Sequence, residues 1–480
     1  MKIIKYLSIV MVLIIGFTEC KQTDNMDPKN PTEVPIETIF TNAEVALLNQ
    51  VDEINVNRNI SRLIAQYHQE TTYFDEARYL FIDRQIPDNY TVEFYRDALI
   101  DLKKAKELLA DWGGNATERD NKIAMASILE VYGWHCIVDA FGDMPYSEAL
   151  QLDKNSTPVY DDAAGIYADL LTRLDAAIGM LKAGGSYGGA DVLFGGDVNA
   201  WKTFGYSLKL RLGMRLADVN ATAAKTAVEA AAPNVYADQG ESAILHYVGV
   251  VPNVNAIYTA FIVDGRKDYL PTNTIIDLMN SLDDPRRPLW FTQVDDGSGN
   301  MIYKGAVAGL DAAQTYSNFS NFSAMFFEAS FPAIISDYVE TEFLMAEAVE
   351  RGFVSGDAAT HYNNAITASI LYWGGTQADA DTYLANPDVA YATAAGDWHQ
   401  KIGTQKWIAL YNRGIEGWAE WRRLDYPILN VPEGMVYNDI PKRMPYPYNE
   451  ALQNEANYDA AVAKMGGVDD RRQRIFWDVN

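Results

Sequence analysis

The chain has 480 residues, 48% of them hydrophobic and 22% charged, with a formal net charge of -26. Binding DNA or RNA requires Lys and Arg concentrated enough to displace counterions, so this excess of acid excludes nucleic acid as a partner. That length and apolar content bury a large core spread over two to three lobes, and two cysteines are too few for a disulfide framework.

The first residues decide location. Lys2 and Lys5 form a basic start, and the apolar run Tyr6–Phe17 is shorter than the roughly 20 residues a membrane-spanning helix needs. Residues 1–19 therefore read as an export signal. Cys20 stands where cleavage is expected, followed by the polar Lys21, Gln22, Thr23, Asp24 and Asn25, which is the arrangement of a lipid-modified bacterial protein. Phe17, Thr18 and Glu19 precede it where small residues are preferred, so ordinary cleavage nearby is the alternative. Residues 20–35, broken by Pro28, Pro31 and Pro35, read as a lipidated tether, and the globular part starts at 36.

Beyond the tether, helical spacing dominates. Segments 90–111 and 119–141 draw one helical pair, with Cys136 among apolar neighbours as a buried thiol and His135 as a core residue. Ile166, Leu170, Leu174, Ile178 and Leu181 recur every three or four residues behind caps at Asp161 or Asp162. Trp201, Phe204, Leu208 and Leu212 supply the partner after Gly195-Gly196-Asp197, giving a helical hairpin. Residues 289–294 and 301–304 flank the turn Asp295–Asn300 and predict a β-hairpin. That turn lacks the alternating ligands and closing Glu of an EF-hand. Between Ser336 and Trp373, Ala346, Ala358, Tyr362 and Ala365 take the small and aromatic positions of a tetratricopeptide repeat, and 399–411 with 413–424 form a further pair. The fold class is therefore mostly α, a degenerate tetratricopeptide-like helical-pair scaffold with an irregular lobe containing short β-hairpins.

Several local patterns together resemble the SusD/RagB-like outer-membrane lipoproteins. They are Phe141-Gly142-Asp143-Met144-Pro145-Tyr146-Ser147-Glu148-Ala149, Asp284-Pro285-Arg286, and Leu344–Ala348 followed by Tyr362–Ile366. The C-terminal third adds Lys406–Tyr411, Gly417-Trp418-Ala419-Glu420-Trp421-Arg422-Arg423, Ile440–Pro447 and the ending Ile475–Asp478. Trp418, Trp421, Arg422 and Arg423 are assigned to packing, with either arginine pairing Glu416 or Glu420. The resemblance implies one domain over 36–480, four degenerate helical pairs and a ligand lobe mainly around 240–335. It also implies a lipid-anchored position at the cell surface and work as a lid on a TonB-dependent (SusC-like) outer-membrane transporter. The cargo is an oligosaccharide in many members and a peptide in others.

No His-Glu-x-x-His, Gly-x-Ser-x-Gly or phosphate-binding loop is present, and the five histidines do not cluster, so neither catalysis nor a cofactor is expected. A protein adaptor built on the repeats, or a glycoside hydrolase using two of the 65 acids, are the other readings. Sugar faces stack on exposed rings while their hydroxyls need amide, carboxylate or guanidinium partners, so mixed clusters are the candidates. Two qualify: Gln66, His68, Gln69, Tyr73, Phe74, Arg78 and Tyr79 near the start, and Trp290 with Tyr316, Asn318, Phe319 and Phe322 in the lobe.

Overall fold

The computed structural model describes residues 34–151 and 154–479. The signal, Cys20 and the tether up to Glu33 lie outside the described residues.

Helices of eight residues or more are α1 (Ile36–Asp52), α2 (Ile100–Ala110), α3 (Ala116–Phe141), α4 (Ala163–Met180), α5 (Val198–Arg215), α6 (Ala221–Ala231) and α7 (Asn273–Ser281). They continue with α8 (Tyr338–Glu350), α9 (Ala358–Tyr372), α10 (Gln377–Leu384), α11 (Trp398–Ala409), α12 (Gly414–Leu424) and α13 (Glu455–Lys464). Side-chain caps start many of them. Asp162, Asp197, Asp337 and Asp357 each accept from N–H groups of the first turn of α4, α5, α8 and α9, satisfying donors that a helix leaves unpaired. Of the two aspartates before α4, only Asp162 caps it. Asp161 instead accepts from the N–H of Tyr146 and of Ser147 and from the Ser147 hydroxyl.

The pairs expected from spacing are present. In α8 and α9, Ala346, Ala358, Tyr362 and Ala365 are buried, so the axes approach closely over small residues. α11 and α12 pack likewise, and α2 lies on α3. α4 meets α5 tightly at Gly205, where a Cβ would come 2.8 Å from Ile178, but it packs even more fully along α3. α3 is long and apolar enough to cross a membrane, yet 89% of its most apolar window is buried inside the protein, which makes it the central core helix. Gly142 ends it at φ +82, a left-handed backbone that only glycine adopts cheaply, as the turn motif implied.

The scaffold core is not purely apolar. Arg211 and Arg215 of α5, Glu340 and Glu347 of α8, Lys406 of α11, and Glu416, Glu420 and Arg423 of α12 are all buried, together with Asp139 and Arg413. Arg211 bonds Glu340 through Nε (2.7 Å) and reaches Glu416 (3.2 Å), while Arg215 bonds Asp139, Glu416 and Glu420. Glu420 also holds Lys406 (2.8 Å) and Arg423 (2.6 Å). Of the pairings predicted for the two arginines, Arg423 with Glu420 forms. Arg422 instead lies 3.8 Å from the centre of the Trp418 ring and donates to the carbonyls of Asp139 and Lys442. Trp418 and Trp421 are core residues, His135 is buried against Tyr132 and Glu416, and Cys136 is a buried free thiol.

Among the described residues the strands form four two-stranded antiparallel ribbons. β1 (His68–Glu70) pairs with β5 (Tyr269–Pro271), β2 (Met144–Pro145) with β3 (Tyr160–Asp161), β4 (Ala243–Leu245) with β8 (Ala333–Ser336), and β6 (Val294–Asp295) with β7 (Met301–Ile302). The β4–β8 pair explains the lobe. The chain leaves the scaffold at 245 and returns at 333, so 246–332 is an excursion clasped at its two ends. The β6–β7 hairpin is shorter than its sequence suggested, because Arg287–Trp290 is a helical turn led by Pro288 rather than strand. The irregular lobe also reaches outside 240–335, since β1 and the segment 426–437 close against it.

Candidate functional site

Three segments far apart in sequence interlock at one face of the lobe. Gln69 accepts from the Gly309 N–H (2.8 Å), and the Gln314 N–H donates to the Thr71 carbonyl (2.8 Å). Arg78 then bridges the other two segments. It pairs with Asp311 at 2.8 Å and donates to the Glu433 carbonyl at 3.2 Å, and Glu433 N–H returns to Gly309 O at 3.3 Å.

Beneath this surface Gln66 ties the same segments from inside. Its amide donates to Asn430 O (2.7 Å) and Tyr79 Oη (3.1 Å), while its carbonyl accepts from Asn430 N–H (3.0 Å) and the Thr274 hydroxyl (2.6 Å). Gln66, Tyr79 and Gln85 have φ of 57, 64 and 51, three of the seven non-glycine residues with positive φ among the described residues. Left-handed backbone costs about 1 kcal/mol or more per such residue and persists only where surroundings enforce it, as these bonds do for Gln66 and Tyr79.

The structure divides the expected ligand residues in two. Tyr73 is 46% exposed, Asn318 is exposed, and Phe74, Arg78, Tyr316 and Phe319 are half-buried, all on the interlocked loops or their continuation. Each of two rings is backed by a cation: Arg84 lies 4.9 Å from the centre of Tyr73 and Lys304 5.2 Å from that of Phe319.

The other expectations are corrected. Trp290 is 0% exposed; it stacks on Tyr411 at 4.7 Å and 17°, and meets Trp373 and Phe291 edge-on. Phe322 packs on Phe261, Phe326 and His68. Trp290 glues the lobe to the scaffold, Phe322 packs the lobe on β1, and neither offers a face to a ligand. His68 is buried among them, and the loss of water holds its pKa well below the usual imidazole range, so the ring is neutral. Gln66 and Tyr79 are likewise buried and serve as internal ties.

Sequence reasoning missed the third segment, Leu429-Asn430-Val431-Pro432-Glu433, and also Arg84. The former carries no aromatic–amide pattern, and its role arises from contacts with residues more than 350 positions away. Arg84 was signalled only by its place eleven residues after Tyr73.

A cavity of about 680 Å³ lies elsewhere, among α2, α3 and α4. Lys106 and Arg173 meet on the single carboxylate of Glu130 in its lining, with Arg173 donating to Tyr146 Oη at 2.7 Å, so it is a cleft of the scaffold with a charged cluster in its wall. Among the described residues no cluster of His, Cys, Asp and Glu is arranged to hold a metal ion.

Comparison with known proteins agrees with this architecture. A family model described as SusD-like, starch-binding and associating with the outer membrane, matches residues 28–447. Among solved structures, a chitin-binding protein is 26% identical with a TM-score of 0.80, over 93% of this chain and 100% of the other. A SusD homologue from Bacteroides uniformis is 25% identical (TM-score 0.76, 92% and 99% covered). A chitin-binding SusD homologue from Flavobacterium johnsoniae, at 24% identity, shares the fold (TM-score 0.79, 93% and 99% covered). No curated protein matches the chain. With seven-eighths of its length inside the family match, the chain belongs to the SusD-like family.

Proposed function

We propose that this chain is a lipoprotein, anchored through Cys20, that captures oligosaccharides at the cell surface and passes them to a SusC-like TonB-dependent transporter without cleaving them. The observation that carries the binding reading is the face built by residues 71–84, 306–319 and 428–437. There Tyr73, Phe74, Tyr316 and Phe319 remain accessible beside Asn318, Arg78 and Arg84. Rings for stacking next to amide and guanidinium donors are the chemistry a sugar needs. The family description names starch, and a relative of known structure is named for binding chitin, which supports a glycan over a peptide.

Isothermal titration with maltohexaose and with N-acetylchitohexaose tests the reading. One of them binds, and Tyr73→Ala weakens it about tenfold, equivalent to ~1.4 kcal/mol, with no change in thermal midpoint. The sugar is recovered intact after incubation. Equal affinity of wild type and variants at Tyr73, Tyr316 and Phe319 would sink the placement. Purification from native membranes tests the partner: a barrel copurifies with the wild type, and Cys20→Ala releases the chain from the membrane.

A further inference from the structure

The exposed ring of Tyr73 stands on a column of charged groups. The Arg84 guanidinium covers one face of the ring. Arg84, 40% exposed at its side chain, forms an ion pair through Nε with Glu76 Oε1, and Glu76 is 1% exposed. Beside Glu76 lies Glu70, also 1% exposed, at the end of β1 opposite Tyr269. Glu70 Oε2 and Glu76 Oε2 have no hydrogen-bond donor among the described residues. Two buried carboxylates side by side repel, and a buried oxygen without a donor is costly, so the pair requires a shared proton. Burial first, and Glu76 beside it second, push the Glu70 pKa up to about 9, so at neutral pH Glu70 keeps its proton, while Arg84 pairs with Glu76. The other charged groups facing Glu70 are Arg266, which is ion-paired to Asp268 at 2.6 Å, and the ring hydroxyl of Tyr269 across the ribbon.

We propose that Arg84, anchored from below by the Glu70–Glu76 carboxyl pair, is a positioning residue of the ligand face, holding the Tyr73 ring so that its opposite face is presented to a sugar. The assignment rests on the glycan reading above, but the geometry it describes exists without ligand. It carries a consequence for pH. When Glu70 loses its proton a second buried negative charge forms next to Arg84, which moves toward the pair and off the ring. Tyr73 is then released from its set orientation, with a midpoint near pH 9.

The test places para-fluorophenylalanine at position 73, which has no titrating hydroxyl, and follows its fluorine resonance from pH 7 to 10. In the otherwise wild-type chain the resonance titrates with a midpoint near 9. In Glu70→Gln it does not titrate. In Arg84→Met, with Glu76→Gln added so that no buried carboxylate is left without its partner, it is displaced already at pH 7 and stays there. With the natural Tyr73, affinity for whichever hexasaccharide binds drops five- to tenfold between pH 7.5 and 9.5, while Glu70→Gln holds its affinity over that range and Arg84→Met with Glu76→Gln is weak throughout. A fluorine resonance unmoved by Arg84→Met with Glu76→Gln, or the same titration in Glu70→Gln, overturns the proposal. If neither sugar binds any form, the glycan reading fails, and the fluorine signals still decide whether Arg84 positions the ring.

Discussion

Replacing Glu420 by Gln keeps the shape of a side chain that three buried cations share and removes its charge. Glu420 accepts from Arg215, from Lys406 at 2.8 Å and from Arg423 at 2.6 Å, and its own exposure is 2%. Arg215 keeps Asp139 and Glu416, and Arg423 keeps Glu347, but Lys406 has no other carboxylate contact among the described residues. Lys406 is thus left as a buried charge without a partner, the case in which breaking an ion pair costs about 3–5 kcal/mol. An unfolding entropy of about 2.1 cal/mol/K per residue over ~450 residues gives about 0.9 kcal/mol/K, so ~4 kcal/mol lowers the midpoint by only about 4 °C. Urea unfolding followed by tryptophan fluorescence is therefore the more sensitive assay.

Adding Lys406→Met removes the stranded charge, so Glu420→Gln with Lys406→Met recovers about 2 kcal/mol of the loss. The pH dependence has a definite sign. Burial opposes ionisation of Glu420, but Arg423, Lys406 and Arg215 outweigh it and hold its pKa well below the carboxylate value of 4.5. Its contribution is thus present above the unfolded pKa and is lost as pH falls below about 4.5 toward the folded value. Glu420→Gln accordingly runs parallel to wild type above about pH 5 and loses less stability than wild type as pH falls below about 4.5. A loss under 1 kcal/mol with strictly additive Lys406→Met would refute the reasoning, because it would mean that water, not protein, compensates these charges.

Three further outcomes follow from packing. Cys136 is fully buried, and burial pushes its thiol pKa well up, so it stays unreactive to a thiol reagent until the chain is unfolded in urea. Gly205→Val forces branched atoms toward Ile178, already 2.8 Å from an added Cβ, and destabilises by about 1–3 kcal/mol in urea titration. Arg413→Met removes a donor to the Ile335 carbonyl (3.1 Å) and to Asp337 (3.0 Å), so hydrogen exchange accelerates in β4 and β8 ahead of α3 and α4.

The helical pairs were legible because their information is local. Apolar spacing behind an Asp specifies α4, and small and aromatic positions between Ser336 and Trp373 specify α8 and α9, each within about forty residues, and the structure agrees with both. Local information also has limits, as Asp161 shows: it resembles a cap as well as Asp162 does, and only the folded chain brings Tyr146 and Ser147 to it. The irregular lobe was harder for the same reason. Aromatics among amides look alike whether they face solvent, as Tyr73 does, or the core, as Trp290 and Phe322 do. What buries Trp290 is Tyr411 and Trp373, contributed by the scaffold more than eighty residues later, and what buries Phe322 is Phe261, Phe326 and the distant His68. The acidic surplus likewise concealed a dry ion network, since composition does not distinguish a solvated carboxylate from Glu416 or Glu420.

The ion network and the interlocked face proposed for binding are parts of one construction. Arg211 and Arg413, both within the network, donate to the carbonyl of Ile335 in β8, at 3.3 and 3.1 Å. β8 closes the excursion that begins at β4, so the scaffold's charged core grips the lobe at its root. At the other end, Arg62 bonds Asp52 at the end of α1 (3.2 Å) and the carbonyl and side chain of Asn412 between α11 and α12. Asp52 also accepts from Asn255 of the lobe (2.9 Å). Loops without regular structure have little internal stiffness, and an interlocked face at 71–84, 306–319 and 428–437 would drift if its ends were free. Clamping both ends to buried ionic groups, whose positions are fixed by several strong bonds each, lets irregular loops hold rings in set orientations, as the proposed binding role requires. Preorganisation of that kind reduces the ordering cost of binding. It also accounts for a charged core in a scaffold that apolar side chains of the same volume would stabilise as well: directional bonds specify where the lobe sits, which apolar packing alone does less sharply.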